Sequence, residues 1–479
     1  MPHNTITAWP ARELSRAIHA RRVGCVEVME AFLAQAERLN PTFNALVSGV
    51  HREALLQQAV QRDQELSGGM SRGWMRGFPH APKDVTSVAG LPTTQGSPIF
   101  KSHVPDSDSI VVERMRQAGA IFIGRTNVSE FALGSHTYNP VFGTTLNAFD
   151  KNLSAGGSSG GAAVALALRM VPLADGNDMM GSLRNPAGWN NVVGFRPSYG
   201  RVPVWPVKDL FLQQLACEGP MARTVGDAAA LLATMAGHDT RVPFSIKEDP
   251  GPFRQSLDWE HKGARIGWLG DLDGYLATEA GLIDTCAAAL KHFESIGCVV
   301  EPVRVDFPMA QLWRAWLVFR GLLSGNVLAP LQADASCRAL MKAEALWEVE
   351  AARGYTAADV YEASVVRTAW YRTLGTLFER YDFLVLPSAQ VFSFNAQQAW
   401  PQDIAGRAMD TYHRWMEVTI HGTLGGGPVL SVPGGFSANG LPIGLQILGR
   451  AQADLAVLRI GHAYEQASGF SAIRSPALT

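Results

Sequence analysis

The sequence lacks long apolar runs, a strong net charge and a leader-like N-terminus. Its longest apolar stretch, Ala162 to Leu168, is far shorter than the roughly 20 residues that a membrane-spanning helix needs. The 41 basic and 43 acidic side chains leave a net charge of −2, so charge gives no reason to expect nucleic-acid or membrane binding. No basic segment followed by an apolar one begins the chain, which argues against a signal peptide. These absences favour a soluble cytoplasmic protein.

Cysteine is also scarce. The five cysteines (Cys25, Cys217, Cys286, Cys298 and Cys337) are scattered and no two form a CxxC pair. An odd, sparse set in a long chain is typical of reduced thiols in a reducing compartment. The sequence has no HExxH segment or comparable histidine cluster, so neither a metal nor another cofactor is expected.

What the chain does have is a large apolar fraction and an alternation of helical and strand-like segments. Hydrophobic residues make up 47% of the 479 and charged residues 18%, enough to bury a sizeable core. We predict an α/β fold in which a mixed central β-sheet is covered by helices on both faces. One domain, 1–479, is expected, with an N-terminal helical region over 10–70, a core over 76–230 and a mostly helical insertion near 300–380.

Short apolar runs predict the strands of that sheet. They are Ile121–Gly124, Val192–Phe195, Ala264–Leu269, Cys298–Val300, Phe383–Pro387, Val429–Pro433 and Ile443–Ile447. Helical spacing predicts helices over 108–118, 162–169, 279–296 and 454–467, and Pro41 is expected to end a helix of the N-terminal region.

A glycine-rich segment, Gly156 to Gly161, precedes the helix predicted from Ala162. Within it, Gly156-x-Ser158-x-Gly160 matches the nucleophile elbow of α/β-hydrolases, in which Ser158 would attack with a distant His and Asp. A glycine run that opens a helix can also bind phosphate, but the lysine of a P-loop is missing. A turn that only caps the helix is the third interpretation, and the segment alone does not decide among them.

Ser182 lies in a second tight turn, 24 residues after Ser158. The backbone amides of Met179, Met180, Gly181 and Ser182 could converge there and bind a developing oxyanion, for which the loss of one donor costs roughly 3–4 kcal/mol. The alternative is that Ser182 caps a helix and Gly181 is an ordinary turn residue.

Lys83 stands in an apolar, turn-rich segment, 75 residues before Ser158. A lysine buried in such a segment has a lowered pKa and can take a proton from a hydroxyl group. The alternative is an ordinary solvated lysine on the surface.

Together with further blocks, these segments make the chain resemble the amidase signature family from about residue 10 to residue 467. The blocks include Lys83-Asp84, Gly124-Arg125-Thr126-Asn127, Gly156–Gly161, Gly181–Pro186, Gly194-Phe195-Arg196-Pro197, Gly219–Thr224 and Ser431-Val432-Pro433. So many ordered matches at the right spacing make coincidence negligible.

The resemblance implies a Ser–cis-Ser–Lys triad. Ser182 is then the nucleophile, Ser158 the bridging serine and Lys83 the base, with a cis peptide bond between Gly157 and Ser158. The implied reaction cleaves the C–N bond of a linear or cyclic carboxylic amide through an acyl-enzyme on Ser182; an ester, hydrazide or carbamate would share the tetrahedral intermediate. Ser159, Asp178 and Arg184 are expected to hold the serine loops by hydrogen bonds.

Two positions depart from the family pattern. Met180 stands where glycine is usual, so either the loop keeps a negative φ there or the oxyanion site is altered. Asn177 stands where threonine is usual.

Aromatic side chains near the blocks are candidates for the substrate pocket. We expect Tyr138, Trp189 and Trp316 to line it, with core packing as the alternative. His80 and His136 are expected to be core or supporting residues rather than catalytic ones.

Four functions stay open at this point. The first is an amide hydrolase with a small-molecule amide as its partner, either as a single chain or as a homodimer. The second is the ammonia-releasing subunit of a tRNA-dependent amidotransferase. The third is an inactive binding protein, suggested by Met180, and the fourth is a histidine-dependent α/β-hydrolase.

Overall fold

The computed structural model describes residues 3–70, 73–212 and 214–478, and an eight-stranded sheet forms its centre. The strands are β1 (Ala174–Asp178), β2 (Val193–Arg196), β3 (Cys217–Ala222), β4 (Arg265–Trp268), β5 (Val299–Pro302), β6 (Phe383–Pro387), β7 (Val429–Phe436) and β8 (Pro442–Leu448). Their order across the sheet is β1-β3-β2-β7-β8-β6-β4-β5.

The sheet is mixed. β4 pairs in parallel with β5 and with β6, whereas every other neighbouring pair is antiparallel. At one edge, β1 and β3 place Asp175 opposite Pro220 and Asn177 opposite Glu218. Since side chains alternate between the faces of a strand, Asp175, Asn177 and Glu218 share one face of this edge.

Helices surround the sheet. The N-terminal region forms His3–Ala8, Ala11–His19, Cys25–Phe43 and Arg52–Ser67. Ile110–Gln117, Gly160–Ala167, Arg184–Trp189, Val225–Met235, Leu282–Ala289, Lys291–Ser295, Ile420–Gly425 and Asp454–Ser468 follow along the chain. The segment near 300–380 forms Met309–Arg320, Asn326–Ala333, Ala335–Arg338, Ala343–Arg353 and Ala357–Arg380.

The predicted fold class is confirmed, and most predicted strands lie in the sheet within one to three residues of the expected ends. Ile121–Phe122 is an exception, because it pairs with Pro79–His80 in a separate two-stranded sheet. Pro41 does not end its helix, which continues to Phe43. The predicted helix over 279–296 forms as two shorter helices, Leu282–Ala289 and Lys291–Ser295.

Two features of the described residues bear on the sequence-based expectations. Their helices include none that is both long and apolar enough to cross a bilayer. The five cysteines are free thiols, four of them buried and Cys337 half-buried.

Candidate active site

Three segments bring the predicted triad together at the edge formed by β1 and β3. Lys83 follows the short strand Pro79–His80, and Ser158 lies just before the helix Gly160–Ala167. Ser182 lies in the turn after β1, and its carbonyl accepts a hydrogen bond from the Ser159 amide at 3.2 Å. The peptide bond between Gly157 and Ser158 is cis, as the family resemblance implies.

The Lys83 side chain is completely buried. Its Nζ lies 2.7 Å from Ser158 Oγ, 2.8 Å from Ser159 Oγ and 2.6 Å from Asn177 Oδ1. Burial lowers the pKa of Lys83 from 10.5 to about 7, although the carboxylates of Asp178 and Asp175 favour the charged form. At neutral pH a large fraction of this lysine is therefore an uncharged amine.

The partners of Nζ also restrict the direction of its lone pair. A neutral amine has two N–H bonds and one lone pair, so it donates to two of its three neighbours and accepts from the third. Asn177 Oδ1 can only accept, and it takes one N–H. The second N–H is then donated to one of the two serine hydroxyls and the lone pair faces the other, so Lys83 can act as a base for Ser158 when Ser159 accepts the second N–H.

Ser182 opens onto a cleft of about 130 Å³. Its side chain is half-buried, in contrast to the fully buried Ser158. Residues from five regions of the chain form the walls: Phe131, Ala132, Leu133, Gly134, Asn177, Met179, Met180, Ala216, Arg320, Ser324 and Met416. The predicted nucleophile is thus accessible while the predicted base is shielded from water.

Asp178 and Arg184 hold the Ser182 turn. Both are fully buried, and Arg184 donates to Asp178 Oδ2 through Nε at 2.9 Å and to Oδ1 through Nη2 at 2.8 Å. Asp178 also accepts from the amides of Gly181 and Leu183 at 2.8 and 3.1 Å. Burial raises the pKa of Asp178, but Arg184 and these hydrogen bonds outweigh it and lower the pKa from 3.8 to about 2.

We expect Asp178→Asn to lower the free energy of unfolding by about 3–5 kcal/mol, because Arg184 would be left buried without its counter-charge. A folded-state pKa below the unfolded one means that Asp178 stabilises the fold above about pH 4 and that this contribution is lost as the pH falls towards 2. Urea unfolding at pH 7 measures the effect, with the exposed Asp306→Asn as matched control. Equal unfolding midpoints for the two variants would contradict the prediction.

The amides expected to form the oxyanion site need one correction. The Gly181 amide already donates to Asp178 Oδ1, so it is not available to an oxyanion. Among the described residues, the amides of Met179, Met180 and Ser182 have no such acceptor. Met180 keeps a negative φ, and the left-handed conformation falls on Gly181 (φ +85°). A Cβ at Gly181 would lie 2.7 Å from Thr419 Cγ2, so this turn requires glycine.

The aromatic residues expected in the pocket lie elsewhere. Trp189 is fully buried, donates to the Val391 carbonyl at 3.1 Å and stacks on Trp415. Trp316 is also fully buried in the core, and Tyr138 lines a different cavity and donates to Glu344 at 2.9 Å. The Ser182 cleft is instead bounded by Phe131, Met179 and the other side chains named above, because spacing along a helix reports burial rather than proximity to a nucleophile.

The two histidines near the site, His80 and His136, form hydrogen bonds with groups other than Lys83, Ser158 and Ser182. His80 Nε2 lies 2.9 Å from Asp175 Oδ1, and His136 contacts Ser154 Oγ at 2.7 Å and the Ala396 carbonyl at 3.1 Å. Burial lowers the pKa of His136 to about 4. In the described part of the chain no histidine is hydrogen-bonded to Ser158 or Ser182, which gives a histidine-dependent mechanism no base.

Two contributors to the site were not predicted from the sequence. Asn177 was noted only as a departure from the family pattern, and its contact with Lys83 depends on the pairing of β1 with β3. Arg320 reaches the cleft from the helical insertion and pairs with Glu348 and Tyr412. Neither residue belongs to a sequence motif that would have identified it as part of the site.

Comparison with known proteins shows the family to which this chain belongs. The family model described as Amidase matches residues 27–458. A glutamyl-tRNA(Gln) amidotransferase subunit of Thermosynechococcus vestitus is 32% identical over 95% of this chain and 97% of its own length. An acylamidase of Rhodococcus erythropolis is 31% identical over 97% of this chain and 95% of its own length.

Solved structures agree in fold. A bacterial aryl acylamidase of the amidase signature enzymes superimposes with a TM-score of 0.89 at 28% identity, over 97% of this chain and 99% of that one. A glutamyl-tRNA(Gln) amidotransferase subunit of Thermotoga maritima superimposes with a TM-score of 0.76 at 26% identity, over 98% and 96% of the two chains.

Proposed function

Because this chain belongs to the amidase signature family, we propose that it hydrolyses the C–N bond of a carboxylic amide through a covalent acyl-enzyme on Ser182. The observation that carries the proposal is the buried amine of Lys83, 2.7 Å from Ser158 Oγ and behind a cleft onto which Ser182 opens. Amide attack by a hydroxyl requires a base, and this arrangement supplies one without histidine.

The proposed attack begins with proton transfer. The neutral Lys83 amine takes the proton of Ser158 Oγ, and Ser158 takes the proton of Ser182. Ser182 Oγ then bonds to the amide carbonyl carbon, and negative charge develops on the carbonyl oxygen. The amides of Met179, Met180 and Ser182 are proposed to bind that oxygen, and donors fixed in a site of low polarity stabilise such charge strongly.

The proposed breakdown reverses the relay. The proton held by Lys83 returns through Ser158 to the amide nitrogen, the C–N bond breaks and the amine leaves. A water molecule, activated by the same relay, then attacks the ester carbonyl of the acyl-enzyme and releases the acid. Asn177 and Ser159 act as positioning residues, because their contacts with Nζ hold the amine in line with Ser158.

An activity screen over aryl, alkyl and cyclic amides tests the proposal, with covalent labelling by a fluorophosphonate read out by intact mass. We expect hydrolysis of at least one amide class and one label on Ser182, both abolished by Lys83→Ala. A wild-type chain that takes no label and hydrolyses no amide would reject the hydrolase and leave an inactive binding protein.

The proposed base predicts how the rate depends on pH. Since only neutral Lys83 can accept a proton, kcat/KM should be low in acid, rise about tenfold per pH unit and level off above the pKa of Lys83, near 7. Initial rates between pH 5 and 10 measure this limb. A limb centred near pH 10, the ordinary value for lysine, would contradict a desolvated base.

The ammonia-releasing subunit of a tRNA-dependent amidotransferase is the second candidate, favoured by the 32% identity to an amidotransferase subunit from Thermosynechococcus vestitus. The two functions differ in whether the chain acts alone. Co-purification of the chain from its source with partner subunits, together with glutaminase activity, would support the subunit. Turnover of amides by the isolated chain, without glutaminase activity, would support the hydrolase.

A further inference from the structure

A second cavity adjoins the Ser182 cleft. It has a volume of about 210 Å³, compared with about 130 Å³ for the cleft itself. Asn177 and Ala216 line both spaces. Asn177 belongs to β1, and Ala216 directly precedes β3, which pairs with β1. The two spaces therefore meet at these two neighbouring residues.

The second cavity is mainly apolar. Its apolar wall consists of Val202, Val204, Val207, Leu210, Ala216 and Val242. Of its two acidic residues, Asp209 accepts hydrogen bonds from the amides of Phe211 and Leu212 and so serves its own loop. Burial, and then the nearby Asp175, raise the pKa of the Glu218 carboxyl to about 8, which favours its uncharged form at neutral pH. The lining suits an apolar group better than a cation.

The direction of proton return indicates which part of a substrate this cavity would hold. In the proposed mechanism the leaving nitrogen receives its proton from Ser158, so it must face the Ser158–Lys83 side of the cleft. Asn177 lies on that side, 2.6 Å from Lys83 Nζ, and the second cavity begins at Asn177. A substituent on the leaving nitrogen would then point past Asn177 and Ala216 into the apolar space.

We propose that the second cavity is a leaving-group pocket that binds an apolar aryl or alkyl substituent on the amide nitrogen. This inference rests on the proposed function and names its substrate class, N-substituted amides. Ammonia carries no substituent, so an enzyme that only releases ammonia has no use for such a pocket. Binding of such a substituent in this cavity would therefore favour the hydrolase over the ammonia-releasing subunit.

The test compares N-phenyl, N-butyl and primary amides of one carboxylic acid. Ala216→Phe places a ring at the junction of the two spaces, and Val207→Trp fills the cavity from a residue that does not line the Ser182 cleft. For both variants we expect the ratio of kcat/KM for the N-phenyl amide to kcat/KM for the primary amide to fall by about 10- to 100-fold. Val365→Trp, on an exposed helix surface outside both cavities, is the matched control and should keep the wild-type ratio.

Product inhibition gives a second readout. Aniline should compete with substrate in the wild-type enzyme, and its inhibition constant should rise in Val207→Trp. An unchanged ratio and unchanged aniline inhibition in a folded Val207→Trp variant would overturn the leaving-group pocket, even if Ala216→Phe failed to fold. Failure of the proposed function looks different, because the wild-type chain would then neither take the fluorophosphonate label nor hydrolyse the primary amide.

Discussion

Replacing Ser182 with alanine is expected to stop acyl-enzyme formation and to lower kcat by at least about 10⁴-fold, since removal of a catalytic nucleophile has effects of this size or larger. Ser182 opens onto the cleft, whereas Ser158 is fully buried behind it with its hydroxyl 2.7 Å from Lys83 Nζ. We therefore expect a substrate carbonyl to reach the Ser182 hydroxyl and not the Ser158 hydroxyl. Fluorophosphonate labelling read by intact mass, and single-turnover kinetics, measure the loss.

Ser158→Ala separates this assignment from the nucleophile-elbow interpretation. If Ser158 only relays protons, the variant keeps Ser182 and should still be labelled there, more slowly than the wild type. If Ser158 were the nucleophile of a histidine-dependent hydrolase, Ser158→Ala would abolish labelling and Ser182→Ala would keep it. Ser364→Ala, an exposed serine of the helix Ala357–Arg380, controls for the substitution itself. A hydrolysis burst in Ser182→Ala would refute the assignment.

The loops of the site were within reach of sequence analysis because their geometry is imposed locally. Glycine at 181 permits the positive φ and the close approach to Thr419 that the turn needs. The glycine of the motif therefore indicates the backbone conformation directly. Asp178 and Arg184 lie six residues apart, and their ion pair closes the same turn. The serines at 158 and 182 and the lysine at 83 were identified from such segments and from the family resemblance that joins them.

The strands that position the site were not predicted. β1, Ala174–Asp178, contains glycine, asparagine and two aspartates, residues that are depleted in strands, and β3 contains Gly219-Pro220. Their strand conformation depends on pairing with each other and on burial at the sheet edge, which no local window of sequence reports. The strands that were predicted, such as Phe383–Pro387, are apolar runs buried in the sheet interior.

The aromatic pocket was mispredicted for a related reason. Helical spacing correctly indicated that Trp316 is buried, but a core position and a pocket wall have the same spacing. The cleft is assembled from residues 131–134, 177–182, 216, 320–324 and 416, which only the tertiary fold brings together. Asn177 was missed in the same way, although it is in direct contact with Lys83, the proposed base.

The second large effect is expected from a substitution of Asn177, which should lower kcat/KM at neutral pH. Its amide oxygen accepts an N–H of Lys83 at 2.6 Å without adding a net charge, so burial still dominates the lysine pKa. Asn177→Asp would place a carboxylate at that position, and an opposite charge within hydrogen-bonding distance in a buried site favours the ammonium form by about 1–3 pH units. We expect kcat/KM at pH 7 to fall by about 5- to 500-fold, because the neutral fraction of Lys83 at that pH falls by about this factor when its pKa rises by 1–3 units from about 7.

The loss should be reversible with pH, which distinguishes it from structural damage. As the pH rises through the new, higher pKa of Lys83, the amine becomes neutral again and kcat/KM should recover, so the limb near pH 7 moves to about pH 8–10. Asn177→Thr keeps an oxygen acceptor without a charge and is the matched control, for which the limb should stay near its wild-type position. A limb near pH 7 in a folded Asn177→Asp variant would mean that the protonation of Lys83 does not control the rate, and the lysine would then have to act as a charged hydrogen-bond donor rather than as the base.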